Sequence, residues 1–262
     1  MATVREMATR RARRVALVTG GSRGIGAATV RALARAGWDV CIGYRSDDAA
    51  ADSVAAQCQA SGAKTLTVAL DVAEESQVNA LFDCFDEQWP EPGSLGALVN
   101  NTGIVAPSAR VEAMDAARLS RMFAVNVVGS FLCAGQAVRR MSTRSGGVGG
   151  VIVNVSSAAA RLGGADEYVD YAASKGAIDT MTIGLSKEVA ADGIRVVAVR
   201  PGLIDTEIHA SGGQPDRAER MRTLIPLQRV GRADEVARTI AWLCSDEASY
   251  VTGALLDVSG GR

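Results

Sequence analysis

The chain has 262 residues, 48% of them hydrophobic and 22% charged, which is enough for one large core and far from a disordered composition. Lys and Arg number 28 against 29 Asp and Glu, a net charge of -1, and this balance argues against a nucleic-acid partner, which asks for a basic stripe. Five scattered cysteines and one histidine argue against a disulfide frame or a histidine-based metal site and fit a reduced, cytoplasmic protein.

Arg5, Arg10, Arg11, Arg13 and Arg14 stand beside a single acid, Glu6, so residues 1–13 read as a flexible basic leader. No apolar run long enough for a signal-peptide core or a membrane span follows it. The first strand is predicted in "RRVALVTGG", the first helix in "GIGAATVRALARAG" with its stop at Gly37. "WDVCIGY" is the next strand, 47–61 a helix, "KTLTVALD" a strand, 74–88 a helix and "LGALVNN" a strand. Residues 115–141 are a long helical region, "GGVIVNVSS" a strand, 168–191 a helix, "IRVVAVRP" a strand, 233–244 a helix and "GALLDVSGG" the last strand. Alternation at this spacing predicts an α/β fold, a doubly wound parallel sheet of about seven strands with helices on both faces, over 14–262 as a single domain. The least regular pieces, 104–114 and 203–232, follow strand ends, where open α/β sheets hold their ligands.

"TGGSRGIG" sits between the first strand and first helix and carries Gly20, Gly24 and Gly26. Glycines there bring the free N–H groups of a helix N-terminus close to a pyrophosphate, so the turn predicts a dinucleotide site. The spacing is neither G-x-G-x-x-G nor a P-loop. An acid at the end of the second strand would favour the ribose hydroxyls of NAD, but Tyr44, Arg45 and Ser46 occupy that turn and Asp47 comes late. With Arg23 in the glycine turn, two arginines can converge on a 2'-phosphate, which favours NADP(H) while leaving NAD(H) open.

Further motifs follow in order: Asp71 and Val72, "NNTG" at 100–103, Asn126 inside a helix, "NVSS" at 154–157, Tyr171 four residues before Lys175, and "RPG" at 200–202. Together with the glycine turn, this set resembles the short-chain dehydrogenase/reductase family over residues 13–261. The resemblance implies that Tyr171 is the catalytic acid/base and Lys175 its partner, a nearby ammonium stabilising the phenolate. It also implies that Ser157 binds the substrate oxygen and that Asn126 supports a water relaying protons through Lys175.

By the same resemblance, cofactor contacts fall on Gly20, Ser22, Arg23, Gly24, Ile25, Gly26, Tyr44, Arg45, Ser46, Asp71, Val72, Asn100, Thr102, Gly103, Tyr171, Lys175, Pro201, Gly202, Ile204 and Thr206. Thr102 stands where relatives usually carry alanine. Ser157 lies fourteen residues before Tyr171 and Ser156 fifteen, against about thirteen in similar enzymes, so the intervening loop holds one extra residue; Ser157 is the nearer match and Ser156 is expected to turn inward. Tyr168 reads as a packing or pocket-wall aromatic. Residues 205–225 are expected to form a substrate lid with His209 at its start in a packing role. No metal is called for. The implied activity is NADP(H)-dependent interconversion of a carbonyl and a secondary alcohol, on a 3-oxoacyl thioester, a sugar or another small molecule. A non-catalytic dinucleotide-binding regulator is the competing class, and retention of Asn126, Ser157, Tyr171 and Lys175 together speaks for the enzyme. A homotetramer is expected from the apolar excess of 115–141 and 168–191.

Overall fold

A computed structural model describes residues 14–207, 212–214 and 216–262; the basic leader and His209 lie outside the described residues. The first half runs β1 (Val15–Thr19), α1 (Gly24–Arg35), β2 (Asp39–Tyr44), α2 (Asp48–Ala60), β3 (Thr65–Ala69), α3 (Glu75–Gln88) and β4 (Leu95–Asn100). The second half runs α4 (Ala116–Phe123), a π-helical turn (Ala124–Val128), α5 (Gly129–Met141), β5 (Gly150–Val155), α6 (Val169–Glu188), β6 (Ile194–Pro201), α7 (Ala233–Cys244) and β7 (Leu255–Val258). The expected helix over 115–141 is therefore continuous but for one widened turn.

The seven strands pair in parallel in the order β3-β2-β1-β4-β5-β6-β7. Strand alternation sorts the core into two layers. Ala16 and Val18 of β1 join Val30 and Leu33 of α1, Val54 of α2, and Val236 and Ile240 of α7 on one face. Val15 and Leu17 join Phe82 and Phe85 of α3, Ala134 and Ala137 of α5, and Ile178 and Met181 of α6 on the other. α1 and α7 approach closely because Ala28, Ala32 and Ala237 meet at their crossing.

Sequence order reverses between β1 and β4, so the connections leaving these two strands diverge and open a crevice beyond their carboxyl ends. From the segment after β6, Thr206 reaches back to this crevice, lying against Gly24. A two-stranded pairing of Ile204 with Gly231 and Asp205 with Arg232 anchors both ends of this segment.

Candidate active site

The glycine turn is built for close approach. Gly20 and Gly24 adopt φ of 65° and 53°, the left-handed region that glycine enters without steric cost. A Cβ on Gly26 would overlap the Gly20 carbonyl oxygen and press on Asn101 Nδ2. The N-terminus of α1 has no side-chain cap from Arg23 and no acid in its first turn, so its N–H groups and dipole remain for an anion. These features fit a dinucleotide pyrophosphate.

Asn101 fastens the turn to β4: its Nδ2 donates to the carbonyls of Thr19 (2.9 Å) and Gly20 (3.0 Å). The N–H groups of Asn101 and Thr102 both donate to Thr19 Oγ1 at 3.1 Å. Asn100 points the other way, donating to Ser130 O (3.2 Å) and Asn154 Oδ1 (3.0 Å) inside the core; Asn154 in turn donates to Thr182 Oγ1 at 2.9 Å. The structural importance of Asn101 and Thr19 was not drawn from the sequence, although alternation along the end of β4 already sends adjacent asparagines to opposite sides. Thr102 Oγ1 lies against Gly20, 3.1 Å from where a Cβ would stand, so the departure at this position faces the glycine turn.

Arg23 in the glycine turn, and Arg45 and Ser46 at the end of β2, are exposed. Asp47 caps α2, accepting from Ala50 N at 2.9 Å, and Asp48 raises the Tyr44 phenol through a hydrogen bond. Asp71 follows β3; its Oδ1 accepts from Ala73 N at 3.1 Å and its Oδ2 lies 2.6 Å from Arg121 Nη2. Partial burial works to raise this carboxyl, yet Arg121, the Ala73 N–H and Arg45 outweigh it and hold the group below its ordinary value. Val72 packs under Gly129, whose Cβ it would obstruct. From the opposite wall, Thr206 lies against Gly24, with Thr206 Cγ2 3.4 Å from where a Cβ would stand, and Gly202 is pressed against the Ser259 backbone. Ile204 is buried and Pro201 accepts from Ala158 N at 2.9 Å. Ser22 and Ile25 are half-buried at the turn itself.

Tyr171 and Lys175 share one face of α6, with Lys175 Nζ 5.7 Å from the centre of the phenol ring. Lys175 is buried and donates to Val155 O at 2.7 Å. Burial lowers its ammonium to about 8, against the opposing pull of Asp179. Burial raises the Tyr171 phenol, and the Ser157 hydroxyl works in the opposite direction. Ser157 Oγ also accepts from Ala159 N at 3.1 Å. Ser156 turns inward, donating to Lys175 O at 3.2 Å. Gly103 stands over the lysine: a Cβ there would sit 3.3 Å from Lys175 Nζ and 3.6 Å from Asn126 Oδ1.

Asn126 lies in the π-helical turn, where the widened backbone accommodates a polar side chain within an apolar helix. Its Oδ1 accepts from Ile104 N (2.8 Å), while Nδ2 donates to Ile104 O (3.0 Å) and Ser174 Oγ (3.0 Å). The amide thus clamps the segment that leaves Gly103 onto α6.

The stretch between Ser157 and Tyr171 makes a tight turn. Gly163, Gly164 and Asp166 all take positive φ, and Tyr168 N donates back to Gly164 O at 2.8 Å. The segment that follows holds both flanking pieces. Arg118 Nε pairs with the buried Asp170 at 2.7 Å and its Nη1 donates to Pro107 O at 2.7 Å; on the other side, Gln214 Nε2 donates to Tyr168 Oη at 2.9 Å, and Arg217 stacks 4.8 Å over the Tyr168 ring while pairing with Glu167 at 2.6 Å.

Residues 20–262 match the family model described as enoyl-(acyl carrier protein) reductase. An uncharacterized oxidoreductase, YgfF, of Escherichia coli (strain K12) is 54% identical, with 95% of this chain and 99% of the relative covered. Cis-4-hydroxycyclohexanecarboxylate dehydrogenase of Sinomonas cyclohexanicum is 42% identical, over 95% and 96% of the two chains. A short-chain dehydrogenase from Burkholderia cenocepacia J2315 in complex with NADP superposes with a TM-score of 0.85 at 32% identity, covering 95% of this chain and 97% of the other. The chain belongs to the short-chain dehydrogenase/reductase family. A blue fluorescent protein from a metagenomic library, solved with NADPH, matches equally well, with a TM-score of 0.85, 33% identity and coverage of 95% and 97%. This short-chain dehydrogenase/reductase is an oxidoreductase.

Proposed function

We propose that the protein interconverts a small-molecule ketone or aldehyde and the corresponding alcohol, with Tyr171 as acid/base. The observation that carries this reading is the meeting of Tyr171, Ser157 and Lys175 beneath Gly103, at the end of β4 and next to the glycine turn. NADP(H), when bound, supplies or takes the hydride. Ser157 Oγ and the Tyr171 phenol aim their O–H groups at one substrate oxygen, where charge develops in the transition state. Tyr171 gives its proton to that oxygen in reduction and recovers it in oxidation. Lys175 places a positive charge beside the phenol, and Asn126 holds the backbone at Ile104 that closes the site behind it. No step asks for a metal.

Gly20, Ser22, Gly24, Ile25 and Gly26 are assigned to the pyrophosphate, Arg23, Tyr44, Arg45 and Ser46 to the adenosine ribose phosphate, and Asp71 and Val72 to the adenine. Asn100, Thr102, Gly103, Pro201, Gly202, Ile204 and Thr206 line the course of the remaining half, with Asn100 acting through its backbone. The excursion 205–225 serves as a lid over the carbonyl pocket. The cis-4-hydroxycyclohexanecarboxylate dehydrogenase relative supports a ring-borne secondary alcohol as the substrate class. A cytoplasmic setting fits five free thiols.

The test is a screen of ketones, aldoses, polyols and acyl thioesters by absorbance of the reduced nicotinamide, repeated with Tyr171→Phe on the best substrate. Turnover should fall about 100-fold or more in the variant, since a positioned acid/base contributes ~100- to 10,000-fold, while NADPH affinity stays within about twofold. Near-normal turnover would remove Tyr171 from the reaction.

A further inference from the structure

The Asp71 carboxylate stands between two arginines from different elements. Arg121, in the last turn of α4, holds Asp71 Oδ2 at 2.6 Å. Arg45, after β2, stands 3.7 Å from the same oxygen, beyond hydrogen-bonding distance, and its side chain is 67% exposed. Among the described residues nothing else accepts a hydrogen bond from the Arg45 guanidinium. The Asp71 side chain is only 19% exposed, so water screens its charge poorly and the nearer arginine does most of the neutralising.

We propose that Arg121 is a positioning residue for cofactor choice: it neutralises Asp71 and so leaves Arg45 available to the 2'-phosphate of NADP(H). This rests on the assignment of Arg45 to that phosphate. Two consequences of removing the Arg121 charge act in the same direction. The uncompensated carboxylate draws Arg45 from 3.7 Å into a full ion pair, taking donors away from the phosphate. It also adds a negative charge beside a group that already carries nearly two. NADH has no such phosphate and is indifferent to both. Arg23, on the glycine turn, is assigned to the same phosphate and forms no ion pair with Asp71, so it keeps part of the preference in any Arg121 variant.

The experiment is titration of the full-length chain with NADPH and NADH, read by nicotinamide fluorescence, for the wild type, Arg121→Gln, Arg121→Lys, Arg45→Ala and the Arg45→Ala/Arg121→Gln pair. Arg121→Gln keeps a hydrogen-bond donor toward Asp71 without the charge. It should weaken NADPH about tenfold and NADH less than about twofold. Arg121→Lys restores the charge and should recover most of the NADPH affinity. The double variant should bind NADPH more tightly than the two single losses added together would give, because most of the Arg121 effect passes through Arg45 and only the repulsion between Asp71 and the phosphate remains without it. Equal weakening of both cofactors in Arg121→Gln would reveal a role confined to packing α4 and overturn the proposal, as would additive losses in the double variant. A wild type that binds NADH as tightly as NADPH would overturn the Arg45 assignment as well; a wild-type preference that survives unchanged in Arg121→Gln overturns the role of Arg121 alone.

Discussion

Lys175 shows how much the site asks of a single side chain. An ammonium inside the protein is costly unless it is paired and hydrogen-bonded, and here the Val155 carbonyl accepts from it while Asp179, one helical turn on, is itself bound by Arg200 at 2.8 Å. The compensation is partial, which is why burial brings the group from 10.5 to about 8. Below about pH 8 the lysine is charged in the folded and the unfolded chain alike, and the full cost of burying it is present. Between about pH 8 and 10.5 the unfolded chain keeps a proton that the folded chain has lost, so this contribution to stability improves as pH rises. Lys175→Met removes the titration. The unfolding free energy of the cofactor-free wild type, less that of the variant, should climb by up to roughly 3 kcal/mol across that window and stay flat from about pH 6 to 7.5. Chemical denaturation at a series of pH values measures it, and a difference that does not change between about pH 8 and 10 would show that the ammonium is solvated.

At the scale of elements, the segment 166–170 ties two distant parts of the chain together. Its acids are distributed by direction: Asp166 pairs with Arg110 at 2.6 Å and Asp170 with Arg118, both from the 104–123 side, whereas Glu167 pairs with Arg217 from the 216–225 side. Tyr168 is therefore more than a wall, since its hydroxyl receives Gln214 and its ring carries Arg217. Tyr168→Phe deletes the acceptor and keeps the ring. Amide exchange over 216–225 should quicken about three- to tenfold for the loss of one net hydrogen bond, with the seven strands unaffected. Gln214→Leu should give the same result from the other end of the bond. Unchanged exchange in both variants would mean that this segment is held by Arg217 alone.

Much of this architecture is legible in the chain because strand and helix periodicities, glycine stops and the spacing of Tyr171 and Lys175 are local patterns. The turn at 163–168 is only half legible. Gly163 and Gly164 mark a turn, but nothing marks Asp166 as left-handed, because a favourable environment rather than propensity holds it there. Arg118 with Asp170 and Arg121 with Asp71 are separated by about fifty residues, and only the packed helices bring them together. Asn126 lies between these cases: an asparagine within an apolar helix signals a role, yet the Ile104 backbone it clamps is visible only in the fold.

For the whole molecule, the question is what covers the surfaces that one chain leaves apolar. Residues 116–141 are long and apolar enough to cross a membrane by length and composition, yet 44% of their most apolar 18-residue stretch is buried inside this chain. Met122, Val125, Cys133 and Ala137 supply the buried side against the sheet. The opposite side presents Leu119, Phe123, Val128 and Phe131, the last 53% exposed, and α6 adds Val169 and Ile183. A second apolar surface lies at the open edge of the sheet, where β7 exposes Leu256, α7 exposes Trp242 and the turn before β7 exposes Tyr250. An unpaired parallel edge strand with apolar neighbours is a liability in a lone chain. Each surface can meet its own copy across a two-fold axis, and two such contacts on different sides of one subunit close into a tetramer with no open end. We therefore expect sedimentation velocity at micromolar concentration to show a tetramer. Phe131→Glu with Val128→Glu should reduce it to a dimer by charging the helix face, Leu256→Glu should do the same through the sheet edge, and the three substitutions together should give a folded monomer. A monomeric wild type would end the proposal, and a tetramer that persists in the helix-face variant would move the interface away from α4 and α5.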